Sequence, residues 1–159
     1  MIPILQVSLA SQSDAGDIAT MSRELIEHSL PWTWRPARVS KAIAAANVNV
    51  AVVREHQRVC AFGIMEYWDD DAHLVLFAVR PDRQRQGVGT AVLKWLEGSA
   101  LVAGAQRIRV EARRDNVAAR SFYNEHGYHE LVIRSHMYGG ALDGIQLEKW
   151  LRRIVTGDA

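Results

Sequence analysis

The chain has 159 residues, 48% of them hydrophobic and 23% charged, which is the size and make-up of one globular domain with a real core and is too apolar for a disordered segment. A formal charge of +1 argues against a nucleic-acid partner. The single cysteine, Cys60, excludes an internal disulfide framework, and one cysteine with scattered histidines gives no metal-ligand spacing. A reducing cytoplasm is the simplest setting, and a homodimer is compatible with the sequence.

The opening MIPILQVSLA has no basic n-region or cleavage pattern, and no stretch approaches the length of a bilayer span, so neither secretion nor a membrane partner is expected. It reads as a strand through Ile2, Ile4, Val7 and Leu9. Ser13-Asp14 then caps a helix running through Ile18, Met21, Leu25 and Ile26 to about His28. Pro31 and Pro36 bracket PWTWRP as a loop, and Arg38 to Ala46 reads as a second helix ended by Asn47. NVAVVRE and RVCAFGIMEYW form two strands around a turn at Glu55 to Gln57, and Asp69-Asp70-Asp71 reads as a solvated turn.

HLVLFAV, residues 73 to 79, is apolar on both faces, as a central strand would be, and Pro81 ends it. From Val88 an apolar stripe through Ala91, Val92, Trp95, Leu96 and Val102 marks a helix that stops at Gly104. RIRVEAR alternates as a strand, with Ile108, Val110 and Ala112 on one face and Arg107, Arg109, Glu111 and Arg113 on the other. Asn116 as N-cap and Gly127 as C′ residue bound a helix, with Phe122 and Ala118 facing the core. YHELVIR and GIQLEKWL are the last strands, joined at Gly139-Gly140. The expected fold class is α/β: a single domain with a mixed, mostly antiparallel sheet flanked by helices.

The segment QRQGVG, residues 84 to 89, lies where a strand gives way to a helix. Helix N-termini carry unpaired N–H groups and partial positive charge, and glycine lets an anion approach the backbone. A nucleotide P-loop would need Gly-Lys-Ser/Thr, and a dinucleotide fingerprint would need a third glycine where Val92 stands. Taken alone, Gly87 and Gly89 suit either a phosphate cradle or a plain tight turn.

The longer run VRPDRQRQGVGTAVL, followed by DNVAARSFYNEHGY, resembles the two signature motifs of the GCN5-related N-acetyltransferase (GNAT) superfamily. Val79, Pro81, Gln84, Gly87, Gly89, Asn116, Ala119, Tyr123, Gly127 and Tyr128 match, with matching spacing and element order over most of residues 47 to 135. The resemblance implies an N-acetyltransferase whose cosubstrate is acetyl-CoA, without a metal. It implies that the pyrophosphate is held by backbone N–H groups of Gln84, Arg85, Gln86, Gly87, Val88, Gly89 and Thr90. The pantetheine arm would pair with the backbone of Phe77, Ala78 and Val79, and Arg83 and Arg85 either add charge to the phosphates or are simply solvated.

Asn116, Ala119 and Tyr123 fall within about 60° of one another around a helix and form one stripe over which a thin cofactor arm could lie. The competing reading makes Asn116 only a cap and Tyr123 a packing residue. Acetyl transfer needs a neutral amine, a polarised thioester carbonyl and a proton for the departing thiolate. A phenol near pKa 10 is protonated at neutral pH, and the resemblance gives the motif tyrosine, Tyr123, that role. A backbone N–H near Val79 would polarise the carbonyl.

Many members of the superfamily carry an acidic or amide residue in the middle of the central strand, where this chain has Val75 and Leu76. Glu111 is the replacement base, and its offset from Tyr123 resembles the glutamate and tyrosine pair of bacterial ribosomal-protein N-terminal alanine acetyltransferases. The other reading of Glu111 is a surface ion pair with Arg109 or Arg113. Glu66, His73 and His136 are weaker candidates. HSLPWTW, residues 28 to 34, is similar to the acceptor-side loop of that group, and Arg134, Tyr138 and Asp143-Gly144-Ile145 echo it near the C-terminus. Trp32 and Trp34 could equally anchor a loop in the core. The acceptor is therefore expected to be a primary amine, either a protein N-terminal α-amine or a small molecule. The alternative from another class is a CoA-binding regulatory or interaction domain without catalysis.

Overall fold

The computed structural model describes residues 5–138 and 142–151, with side-chain surroundings for 5–131 and 144–151. Gly139-Gly140 and the start of the first expected strand lie outside the described residues, as do the side chains of Arg134, His136, Tyr138 and Asp143. The chain forms two compact units, one of residues up to Glu66 with Leu74–Ser99, the other of Tyr67–His73 with the residues from Ala100 onward.

The first unit opens with β1 (Val7–Leu9), a 3-10 turn (Gln12–Asp14) and α1 (Ala15–Met21), which widens into a π-helical turn (Ser22–Ile26). The 3-10 turn ahead of α1 has its own cap, Ser11, with Asp14 as its capping-box partner, the Ser11 N–H donating to Asp14 Oδ2 at 2.8 Å. Asp14 stands at the N-cap position of α1, as expected, but makes no side-chain cap bond to it: its carboxylate holds Arg54 on β2 (Val48–Glu55), with Arg54 Nε donating to Oδ1 at 2.9 Å. α2 (Pro36–Ala44) starts and stops two residues before the expected bounds. Proline at the first position loses no N–H that a helix would use, and Ala45 turns extended at ψ 137°.

β2 and β3 (Arg58–Trp68) pair antiparallel, with Glu55 opposite Arg58. His56 at φ 52° and Gln57 at φ 66° make the two-residue turn between them, as a type I′ hairpin requires. β4 (Asp71–Val79) follows; its residues alternate between buried and half-buried, so its two apolar faces are not equally covered. Phe62 and Ile64 on β3, with Leu76 and Ala78 on β4, join Ile18, Met21, Trp34 and Val39 in one apolar cluster. On the opposite face of β3, a Cβ added to Gly63 would lie 2.6 Å from Leu96 Cδ1 on α3 (Val88–Val102), so glycine sets how closely that helix sits.

In the second unit β5 (Arg107–Arg113), α4 (Val117–Glu125), β6 (His129–Tyr138) and β7 (Leu142–Trp150) follow. β7 inserts between β5 and β6: Val110 pairs in register with Leu147 on one side, and Ile133 with Ile145 on the other. The strand order is β1-β2-β3-β4-β5-β7-β6, and the pairs β1–β2, β2–β3, β5–β7 and β6–β7 are antiparallel. The expected fold class, a mostly antiparallel sheet with helices, is the one observed.

Candidate active site

In the first unit, β4 ends at Val79, a short 3-10 turn (Pro81–Arg83) follows, and residues 84 to 87 are exposed ahead of α3. Arg85 at φ 64° and Gly87 at φ 81° turn the backbone through the left-handed region, and a Cβ added to Gly87 would meet nothing within 4 Å. Ala91 N–H bonds to the Gly87 carbonyl at 3.0 Å, so the amides of Gly87, Val88 and Gly89 precede the helical ladder. This exposed, glycine-shaped helix start has the donors and the open space that a pyrophosphate needs.

The side chains around it have their own tasks. Gln84 Nε2 donates to the Val79 carbonyl at 3.1 Å, tying the loop to the end of the strand whose half-buried Phe77 and Val79 flank buried Ala78. Arg83 is partly exposed and paired with Glu55, its Nε donating to Glu55 Oε2 at 2.7 Å. That carboxylate raises the Arg83 guanidinium above its ordinary range. Arg85 is exposed, and Gln86 Nε2 reaches the Asp82 carbonyl at 3.4 Å. Thr90 is half-buried in the first turn of α3. Cys60 is buried, and burial pushes its thiol up.

In the same unit, the loop after α1 is built around Glu27, a residue sequence reasoning passed over. Its carboxylate is 8% exposed and accepts from Ser22 Oγ at 2.8 Å, Thr33 N–H at 2.7 Å, Thr33 Oγ1 at 2.6 Å and Trp34 N–H at 3.2 Å. Burial works to raise its pKa, but the hydrogen bonds from Thr33, Ser22 and Trp34 outweigh it and the carboxyl lies below its ordinary value. Trp34 is buried in the core with Arg38 stacked over it. Trp32 is half-buried, its indole N–H donating to the Ala19 carbonyl at 3.2 Å, with Arg23 and Arg35 over its ring. Both tryptophans therefore anchor the loop, and Glu66 is half-buried on β3.

The second unit holds the acid-base candidates. Glu111 pairs with neither Arg109 nor Arg113. Its Oε2 lies 2.5 Å from His73 Nε2 on the first residues of β4, and both side chains are about a third exposed. Arg107 is occupied by Asp71, its Nε 2.7 Å from Oδ1, and by Glu148 at 3.2 Å, so Asp71 is not part of a solvated turn. Arg107 also holds the Asp71 carboxyl below its usual value. Arg109 Nε is buried without a hydrogen-bond partner among the described residues. Glu111 faces buried Gln146 across the β5–β7 ladder.

On α4, Asn116 accepts from Ala119 N–H at 3.0 Å, so the first member of the stripe is a cap, and Ala119 behind it is half-buried. The buried aromatic is Tyr123, 5% exposed, while Phe122 is half-buried and Ala118 exposed, which reverses the expected core face. The cause is the helix end. Gly127 at φ 90° closes a Schellman turn, with Tyr128 N–H bonding to the Tyr123 carbonyl at 2.9 Å and Gly127 N–H to Asn124 at 3.2 Å. This folds Tyr128 back so that its ring meets Tyr123 edge-on at 5.6 Å. Lys149, on β7 opposite Ile108, brings its Nζ over the Tyr128 ring, 5.6 Å from the centroid.

Among the described residues no group of three His, Cys, Asp or Glu could hold a metal ion, and no helix is long and apolar enough to cross a membrane. Residues 19–128 match the model of the acetyltransferase (GNAT) family. Over 111 residues the chain is 31% identical to the ribosomal protein bS18 alanine N-acetyltransferase of Escherichia coli (strain K12), covering 70% of this chain and 73% of that protein. The crystal structure of the ribosomal-protein-S18-alanine N-acetyltransferase from Escherichia coli superposes with a TM-score of 0.81 at 24% identity over 98% of this chain and 99% of that one. The structure of yncA from Salmonella typhimurium, solved with its cofactor acetyl-CoA, gives 0.79 at 17% identity over 99% of both chains.

Proposed function

Because this chain belongs to the acetyltransferase (GNAT) family and is an N-acetyltransferase that draws on acetyl-CoA, we propose that it transfers the acetyl group directly to a protein N-terminal α-amine, with Glu111 as base and Tyr123 as acid. The observation that carries the proposal is that the Glu111 carboxylate lies beside an imidazole rather than under an arginine, and is still open enough to meet an amine. The non-catalytic CoA-binding reading gains no support from the family match. The similarity to an alanine N-acetyltransferase supports the α-amine over a lysine, and Glu27's hold on the 31–35 loop supports a shaped acceptor side. The lone buried cysteine supports a cytoplasmic setting.

In this reading the amides of residues 84 to 90 hold the pyrophosphate and the backbone of residues 77 to 79 holds the pantetheine arm. Glu111 takes a proton from the α-ammonium. The neutral nitrogen attacks the thioester carbonyl, a C–N bond forms, the C–S bond breaks and the thiolate takes the Tyr123 proton; the acylated nitrogen then gives up its extra proton to restore the Tyr123 phenol, and the proton held by Glu111 passes to solvent. At pH 7 an α-amine near pKa 7.8 costs about 1 kcal/mol to deprotonate, against about 4.6 for a lysine near 10.4. A carboxylate suffices for the first.

The test is steady-state transfer from acetyl-CoA to peptides with free N-termini and to lysine amides. Tyr123→Phe lowers kcat far more than acetyl-CoA affinity, and Glu111→Gln leaves a rate that recovers at high pH, where the amine is already neutral. Unchanged turnover in the first, or an unchanged pH profile in the second, removes that residue from its role.

A further inference from the structure

We propose that His73 is a positioning residue for Glu111: it pins one carboxylate oxygen so that the other meets the acceptor amine. The inference rests on Glu111 being the base. An ionised carboxylate can only accept hydrogen bonds, so at 2.5 Å His73 Nε2 carries the proton and Glu111 Oε2 receives it. Among the described residues this imidazole is the one side-chain partner of Glu111.

The neighbouring cations leave that role to His73. Arg107, on the same face of β5, is committed to Asp71 and Glu148. Arg109 Nε is buried with no hydrogen-bond partner among the described residues, and Arg113 is 8% exposed at the strand end. A guanidinium on Glu111 would hold the carboxylate in a bidentate grip and quench its basicity, whereas one imidazole N–H fixes Oε2 and leaves Oε1 for the ammonium. A two-carbon carboxylate side chain on a strand is otherwise free to turn, and a base misplaced by an ångström loses much of its advantage. Both groups are about a third exposed, so solvent and a substrate reach the pair.

The reverse arrangement has His73 Nδ1 taking the amine proton while Glu111 only orients the ring. The two make opposite predictions for glutamine, which keeps an N–H donor for Oε2 but has no base. Steady-state kinetics are measured with acetyl-CoA and the fastest acceptor from the peptide and lysine panel, on the full chain, for His73→Ala, His73→Asn, His73→Gln, Glu111→Gln and the Glu111→Gln/His73→Ala double variant.

His73→Ala and the too-short His73→Asn are expected to lower kcat about tenfold at an unchanged KM for acetyl-CoA, and His73→Gln to return within about threefold of the parent. In the Glu111→Gln background, His73→Ala costs nothing further, because the group it positions is gone. The proposal is overturned if His73→Ala and His73→Asn turn over like the parent, if His73→Gln is as slow as His73→Ala, or if the two losses multiply. If His73→Ala does not fold, the Asn and Gln variants decide alone. Parental turnover in Glu111→Gln alone refutes the base itself, an outcome distinct from failure at His73.

Discussion

Glu27→Ala isolates the carboxylate that organises the loop after α1. Four donors converge on it, and two of the residues involved, Ser22 and Trp34, are buried. A hydrogen bond to a charged group contributes about 1.5–3 kcal/mol, and each buried donor left unpaired costs about 1–3. Thr33 is exposed and water replaces much of what it loses, so two buried donors dominate and the variant is expected to be about 3 kcal/mol less stable. For a chain of this length that is about 9 °C in Tm. The assay is thermal and urea unfolding followed by circular dichroism, repeated from neutral pH downward. Because the folded pKa lies below the unfolded value of 4.5, the stability Glu27 supplies is fully present above pH 4.5 and is lost as pH falls through the folded value. The gap between parent and variant should therefore close in acid. A gap under about 1 kcal/mol at neutral pH, or one that does not move with pH, refutes the anchoring role.

Three further outcomes follow from single contacts. Gly63→Ala drives a methyl group against the fully buried Leu96 and is expected to cost about 1–3 kcal/mol by denaturant melt; no loss would mean α3 has room to shift. Gly87→Ala meets no steric neighbour but forces an L-residue to φ 81°, so the fold should lose only about 1 kcal/mol while acetyl-CoA affinity by calorimetry falls several-fold; an unchanged Kd would separate the loop from the cosubstrate. Asp14→Asn removes the carboxylate that Arg54 holds below its ordinary pKa of 3.8. The Tm difference from the parent should be present at neutral pH and fade below 3.8, and a difference that persists in strong acid would show a loss of packing instead.

What could be read from the sequence was whatever depends on neighbours along the chain. Gly104 and Gly127 stop their helices as glycines that take positive φ cheaply, both at φ 90°, and Gly87, read as a cradle or tight turn at the start of α3, has φ 81°. The insertion of β7 between β5 and β6 was not legible, because strand pairing between non-consecutive elements leaves no local mark. For the same reason the His73–Glu111 contact was missed, though both residues stand on half-buried faces of their strands: the register that joins them is set across a whole helix of intervening chain. Phe122 is read as core-facing because it lies about 100° around the helix from Tyr123, whose stripe with Asn116 and Ala119 reads as the open face. What decided the face was the Schellman turn, which brings Tyr128 onto Tyr123 and makes a tyrosine the cheaper residue to bury. Glu27 gave no signal, since a carboxylate near a helix end is usually solvent-facing and only the return of Thr33 and Trp34 makes it an anchor.

Acceptor choice follows from the same proton accounting. Any carboxylate is a far weaker base than an amine, so it should serve an amine that is already partly neutral and fail one that is not. At pH 7 about one α-amine in seven is neutral against about one lysine in 2,500, a ratio of about 350; at pH 9 the two fractions differ by about 25. If Glu111 only collects the proton of a nearly neutral nucleophile, the preference for an N-terminal alanine peptide over a lysine amide in kcat/KM should fall about tenfold between those pH values. Paired rate measurements on one enzyme preparation read this directly, since changes in folding or acetyl-CoA binding cancel in the ratio. A preference that stays constant with pH would mean that shape at the acceptor loop, and not the proton, selects the amine; a preference for lysine at pH 7 would require a stronger base than Glu111.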